Sequence, residues 1–213
     1  IARQWVDWAP RAAPAWIAGP GGGEPVLAPA AGPFADTGGA MEELVHAGLG
    51  REIGVCNYNT WLLHDLIAYS QIKPAMLQIE SHPYLTQERL LRASAQYDMA
   101  VTAFSPLGAL SYLELNMADT GESVLEQAAV KEAAARVDRT PAQVVLRWGI
   151  QRGTAVIPKT SRVERLKENQ LLFDFELNEA EMTAISALNR NRRFNDPGHF
   201  CEEAFGTFFP IYD

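Results

Sequence analysis

Two hydrophobic patterns alternate along the chain: apolar residues at helical spacing, and short unbroken apolar runs. Ala40–Ala47 predicts a short helix, with Met41, Leu44 and Val45 on one face and Gly48 as its stop. Glu52–Cys56 predicts a short buried strand. Thr60–Ser70 predicts a helix striped by Leu62, Leu63, Leu66 and Ile67, and Pro74 ends that unit. Ala75–Glu80 predicts a second strand, Gln87–Tyr97 a helix with Leu90, Leu91 and Ala95 inside, and Ala100–Phe104 a third strand. Glu122–Val137 is rich in alanine and predicts one continuous helix.

Helix starts punctuate the rest. Thr140-Pro141-Ala142-Gln143 offers a threonine cap, proline at the first helical position and glutamine where a capping box needs it; its helix runs to about Gln151, before Gly153. Thr154–Pro158 predicts a fourth strand. Ser161-Arg162-Val163-Glu164 and Asn178-Glu179-Ala180-Glu181 read as two further boxes, opening helices to Asn169 and Leu188. Strands alternating with helices imply a parallel sheet. The fold class is α/β, and an open doubly wound sheet fits this order as well as a barrel does. In both, ligands bind at the carboxyl ends of the strands.

The first 38 residues break the pattern. Six Pro and seven Gly in the first forty positions, with Gly19-Pro20-Gly21-Gly22-Gly23-Glu24-Pro25 at their centre, predict a long loop over 1–38, followed by one domain over 39–213. Trp5, Trp8 and Trp16 suggest that parts of the loop pack. Gly19–Gly23 makes a poor phosphate cradle, because no strand precedes it and no helix follows directly. The chain starts at Ile1 without an initiator Met, which hints at missing sequence upstream.

Composition narrows the function. Hydrophobic residues at 47% and charged residues at 21% describe a globular domain rather than a disordered chain. No apolar run approaches the roughly eighteen residues of a membrane span. A formal charge of −8 argues against general binding to nucleic acid or anionic membranes. Cys56 and Cys201 are too few for a disulfide scaffold and lack metal-ligand spacing, so a reducing, cytoplasmic compartment is expected. His46, His64, His82 and His199 form no cluster, which predicts no metal site.

The expected strand ends carry the chemistry. Lys159-Thr160-Ser161 places a cation, two hydroxyls and free backbone N–H groups at a helix start, with Arg162 and Arg165 on its first turns. That suits a phosphate; a solvated, ordinarily capped helix fits equally. Asn57 and Gln78 offer side-chain amides that read a ligand amide or satisfy loop backbone. Phe104, before Ser105-Pro106-Leu107-Gly108, offers a flat face to an aromatic ligand or packs in the core. Glu80 and His82 suit a structural pair better than acid–base work. There is no Gly-x-Ser-x-Gly elbow, and Lys159 is the one lysine of four at a strand end.

Four segments together resemble the aldo-keto reductases: Ile53-Gly54-Val55-Cys56-Asn57-Tyr58, Gln78-Ile79-Glu80-Ser81-His82-Pro83-Tyr84-Leu85, Phe104-Ser105-Pro106-Leu107-Gly108, and Ile157-Pro158-Lys159-Thr160 with Arg165 and Glu168-Asn169. The resemblance spans about residues 36–213. It is closest to the aldose and xylose reductase branch, because Arg193-Phe194-Asn195-Asp196-Pro197 is similar to the tail of xylose-reductase-type members. It implies a (β/α)8 barrel of which this chain holds the C-terminal half, and a cofactor, NADP(H). It implies that Asn57 and Gln78 hold the nicotinamide carboxamide, with Cys56 where the family usually has Ser. On the same resemblance Phe104 would stack on the nicotinamide in place of the usual Tyr, Ser105 and Leu107 would line the pyrophosphate path, Lys159, Thr160 and Arg165 would grip the 2′-phosphate, Glu168 and Asn169 would meet the adenine, and Asn195 would reach the substrate.

The resemblance also implies a departure. The family's catalytic Asp, Tyr, Lys and His lie on its first four strands, and the chain begins about where the fourth ends. Reduction of an aldehyde or open-chain sugar is then expected of a protein carrying that set, while this chain alone is expected to be inactive. The alternative is a non-catalytic NADP(H)-binding or interaction module of half-barrel form. Open sheet edges predict self-association of the isolated chain.

Overall fold

The computed structural model describes residues 33–115, 117–198, 202 and 210–212. The glycine-rich stretch Gly19–Gly23, the three N-terminal tryptophans, His199 and Cys201 lie outside the described residues. Met41–Phe194 forms one compact unit, and the described residues on either side of it belong to a second.

Four strands alternate with helices: α1 Phe34–His46, β1 Gly54–Cys56, α2 Thr60–Tyr69, β2 Met76–Glu80, α3 Glu88–Gln96, β3 Ala100–Phe104, α4 Ala128–Val137, α5 Pro141–Gln151, β4 Thr154–Ile157, α6 Val163–Gln170 and α7 Glu179–Ser186. The strands are all parallel, in the order β1-β2-β3-β4. The expected third strand has the observed bounds, and the others differ at their ends by one or two residues.

The register sorts the side chains onto two faces, since neighbours in register share a face. Leu77 pairs with Val55 and Val101, and Ile79 with Ala103. Leu77 and Ile79 are buried against Leu63 of α2 and Leu90 of α3. Each such aliphatic side chain contributes about 1.5–3 kcal/mol through burial. The opposite face carries Cys56, Gln78, Thr102 and Ala155 in one row, and Glu80, Phe104 and Ile157 in the next. On that face Met76 is 37% and Ile157 47% exposed, while Thr102 and Glu80 are buried. A second apolar cluster joins α4, α5 and α7 through Val130, Ala133, Val144, Trp148 and Ile185.

One glycine sets the distance between α5 and β4. A Cβ on Gly149 would lie 2.9 Å from Cγ1 of Val156 and 3.3 Å from Oγ1 of Thr154. Gly inside a helix costs about 1 kcal/mol relative to Ala; the close approach of β4 requires it.

Capping explains two helix starts. Thr140 accepts from the Gln143 N–H while the Gln143 side chain returns to the Thr140 N–H, and Asn178 and Glu181 do the same. Three expectations need correction. First, the 1–38 loop ends early, because α1 begins at Phe34 and holds Gly38 and Gly39 in its interior. Tertiary contact outweighs their poor propensity: Glu42 of α1 is buried and accepts from the N–H groups of Gln71 and Ile72 at 2.8 and 3.1 Å. Second, Glu122–Val137 is not one helix. Thr120–Glu122 and Val124–Glu126 are 3-10 turns, and α4 starts only at Ala128. Glu122 is drawn to Arg192 and Val124 is fully buried, so packing sets the backbone there. Third, Ser161 caps nothing. The N-cap of α6 is Arg162, whose N–H donates to Oγ1 of Thr160 at 3.1 Å, one turn-like bond that delays the helix by a residue.

Candidate functional site

Several of the residues singled out from the sequence lie at or just beyond the carboxyl ends of strands, Cys56 and Asn57 at β1, Phe104 and Ser105 at β3, Lys159 and Thr160 after β4, while Gln78 is the middle residue of β2 and Arg165, Glu168 and Asn169 lie on α6. Cys56 ends β1 and is an exposed free thiol, paired in register with Gln78. Asn57 follows at φ +59°, a left-handed conformation that Asn tolerates better than most residues. Its N–H donates to the Gln78 carbonyl at 2.9 Å, so the two amide-bearing residues are locked together across neighbouring strands. Asn57 is exposed and Gln78 half-buried, which leaves these polar groups open to a ligand.

Phe104 ends β3 beside Glu80 and Ile157 and is half-buried. Ser105, at φ +48°, opens a tight turn that Gly108 closes by donating its N–H to the Ser105 carbonyl at 2.9 Å. Oγ of Ser105 lies 2.7 Å from the hydroxyl of Tyr112. Leu107 packs against the larger apolar cluster with part of its surface exposed.

Beyond β4, Lys159 and Arg165 are exposed, and neither makes an ion pair among the described residues. Thr160 is half-buried. Glu168 is already engaged: its carboxylate accepts from the Thr140 hydroxyl, and its backbone carbonyl from the Gln143 side chain at 3.2 Å. This contact ties α6 to the start of α5. Asn169, next to it, is half-buried. Asn195 lies outside the Met41–Phe194 unit and is half-buried.

Glu80 and His82 form the structural pair expected of them. Both are fully buried, with Nε2 of His82 2.9 Å from Oε1 of Glu80. That oxygen also accepts the Phe194 N–H at 2.8 Å. Arg192 lies over the Phe194 ring at 4.7 Å and donates to Glu122 and to the Met117 carbonyl. The Arg192 guanidinium holds the Glu122 carboxyl below its ordinary range. The segment before Asn195 is thus fastened to the ends of β2 and β3. Sequence reasoning missed Tyr112 and Arg192: both act from stretches without periodicity, where spacing carries no signal.

Among the described residues, no three His, Cys, Asp or Glu side chains are grouped to hold a metal ion, and no helix is long and apolar enough to cross a membrane. The polar and aromatic groups gathered near the strand ends are two side-chain amides, the Phe104 ring, the Ser105 hydroxyl on a turn, and Lys159 and Arg165, which make no ion pair among the described residues.

The model of the aldo/keto reductase family matches residues 6–190. A probable NAD(P)H-dependent D-xylose reductase of Aspergillus clavatus is 42% identical over 221 residues, covering 100% of this chain and 66% of that protein. One from Aspergillus fumigatus is 45% identical over 199 residues, covering 92% and 62%. The NAD(P)H-dependent D-xylose reductase of Aspergillus niger is 46% identical over 179 residues, covering 83% and 54%. The chain spans less than two thirds of the length of these relatives. Its four parallel strands and their helices are part of the family's (β/α)8 barrel, and the chain belongs to the aldo/keto reductase family.

Proposed function

We propose that the protein is an NADP(H)-dependent oxidoreductase that reduces an aldehyde or open-chain sugar carbonyl to the alcohol. One observation carries the reading. Asn57 at the end of β1 beside Gln78 of β2, Phe104 and Ser105 at the end of β3, Lys159 just after β4 and Arg165 on the following helix come in the sheet's strand order, with none of them fully buried. Asn57 and Gln78 hold the nicotinamide carboxamide, with Cys56 beside them. Phe104 stacks on the ring, and Ser105 and Leu107 flank the pyrophosphate. Lys159, Thr160 and Arg165 bind the 2′-phosphate, which favours NADPH over NADH. Glu168 and Asn169 meet the adenine, and Asn195 contacts the substrate.

A nicotinamide held there would supply hydride chemistry, reducing the carbonyl to the alcohol once a proton reaches its oxygen. The chain's own residues orient the ring and anchor its phosphates. The resemblance carries none of the family's Asp, Tyr, Lys and His onto a position of this sequence, and we assign proton delivery to none of its residues. The exposed, unpaired thiol of Cys56 suits a reducing compartment, the cytoplasm.

The test is consumption of NADPH by the protein as its source makes it, followed by absorbance, with D-xylose and a short aliphatic aldehyde as substrates. Carbonyl-dependent oxidation of NADPH supports the reading. A second reading, an NADP(H)-binding module without catalysis, rests on the presence of the cofactor residues without that catalytic set. It predicts saturable NADPH binding and no turnover with any carbonyl.

A further inference from the structure

Ser105 occupies a backbone conformation that a residue with a Cβ enters at a cost of about 1–2 kcal/mol. The surroundings hold it there. Behind the turn, Gly108 sits at φ +68°, a conformation that favours glycine, and its Cα side faces Phe194, Val124 and His82 at ordinary packing distance. In front, the Ser105 hydroxyl meets the Tyr112 hydroxyl at 2.7 Å. Tyr112 is buried, and its ring stacks on Phe194 with centroids 5.9 Å apart and planes 16° apart. Phe194 is pinned in turn by its N–H bond to Glu80.

The direction of the Ser105–Tyr112 bond matters. A phenol is a stronger acid than an aliphatic hydroxyl, so Tyr112 is the better donor and Ser105 the better acceptor of the two. Ser105 then keeps its own O–H for a third group, and a hydroxyl whose oxygen already accepts is a strengthened donor. An anionic phosphate oxygen is the partner such a donor suits.

On the cofactor reading given above, we propose that Tyr112 is a positioning residue for NADP(H). It fixes the Ser105 hydroxyl and its left-handed backbone toward the pyrophosphate, and Phe194 fixes Tyr112. Tyr112 acts through Ser105 without contact to the cofactor. The segment that leads to Asn195 therefore also sets cofactor affinity.

A double-mutant cycle on the protein as its source makes it, with NADPH titrated by fluorescence, tests this. Tyr112→Phe keeps the ring and its stack and removes only the hydroxyl, so the unfolding midpoint should barely move. It should bind NADPH about three- to ten-fold more weakly, as should Ser105→Ala. If Tyr112 works through Ser105, the double variant binds no more weakly than Ser105→Ala alone. Wild-type affinity in Tyr112→Phe, or losses that multiply in the double variant, overturns the positioning role. Absence of saturable NADPH binding by the parent protein overturns the cofactor reading itself and is told apart by that control.

Discussion

The backbone N–H of Phe194 donates to Oε1 of Glu80 at 2.8 Å, and the same oxygen meets Nε2 of His82 at 2.9 Å. One buried carboxylate thereby joins the end of β2 to the C-terminal segment. Its removal leaves two buried donors without an acceptor, each costing about 1–3 kcal/mol. Glu80→Ala should therefore destabilise the fold by about 2–4 kcal/mol, and Glu80→Gln, which keeps an acceptor oxygen, by less. Urea unfolding measures both, and a Glu80→Ala loss below about 1 kcal/mol would contradict the joint role.

Gly149 tests the packing of α5 on β4. Ala at this position gains about 1 kcal/mol of helix propensity on an isolated helix. Here its Cβ would meet Val156 at 2.9 Å, and overpacking of this kind costs about 1–3 kcal/mol. Gly149→Ala should be net destabilising in thermal unfolding. A rise in the unfolding midpoint would mean that the helix and strand separate more easily than this geometry allows.

Acid should loosen the C-terminal segment. Arg192, donating to Glu122, lowers the Glu122 carboxyl below its ordinary value of 4.5. A carboxyl lowered in the folded state stabilises above its unfolded value and loses that contribution as pH falls through the folded one. The contribution is thus full above about pH 5 and declines below about pH 4. The pair is partly exposed, so its worth is under about 1 kcal/mol. Glu122→Gln should be slightly less stable than the parent at neutral pH and equal to it at strongly acid pH. A gap that stays constant across that range would assign the loss to packing.

The open sheet makes a prediction about the 213-residue chain on its own. Among the described residues β1 and β4 have no outer neighbours, and Met76 and Ile157 of the sheet stand partly exposed. Unpaired edges and exposed apolar side chains favour association. Sedimentation at micromolar concentration should show dimers or larger species, and a single well-behaved monomer would count against this.

Much of this architecture is legible in residue order alone. Ala100–Phe104 reads as a strand because its apolar run is flanked by clear breaks, and Thr140 and Asn178 announce their helices through side chains that cap locally. Where long-range contacts decide, the sequence misleads. Ser161 has the spacing of a cap, yet Thr160 takes the local bond first. Glu122–Gln127 has helical composition, yet Arg192 and the buried Val124 bend it into short turns. The candidate site divides the same way. Asn57 and Lys159 are readable because they follow strand ends, and Gln78 because it interrupts an apolar strand. Tyr112 and Phe194 are not, because their partners lie across loops that only the folded chain brings together.

The most direct test of the cofactor assignment compares NADPH and NADH titrated into the parent protein and into Lys159→Ala. A charged contact to the 2′-phosphate is worth about 1.5–3 kcal/mol, so the parent should bind NADPH at least about ten-fold more tightly than NADH. Lys159→Ala should lose most of that preference while NADH binding stays within about two-fold of the parent. Equal affinity for the two cofactors in the parent, or a loss shared equally between them in the variant, would contradict a 2′-phosphate site at the end of β4.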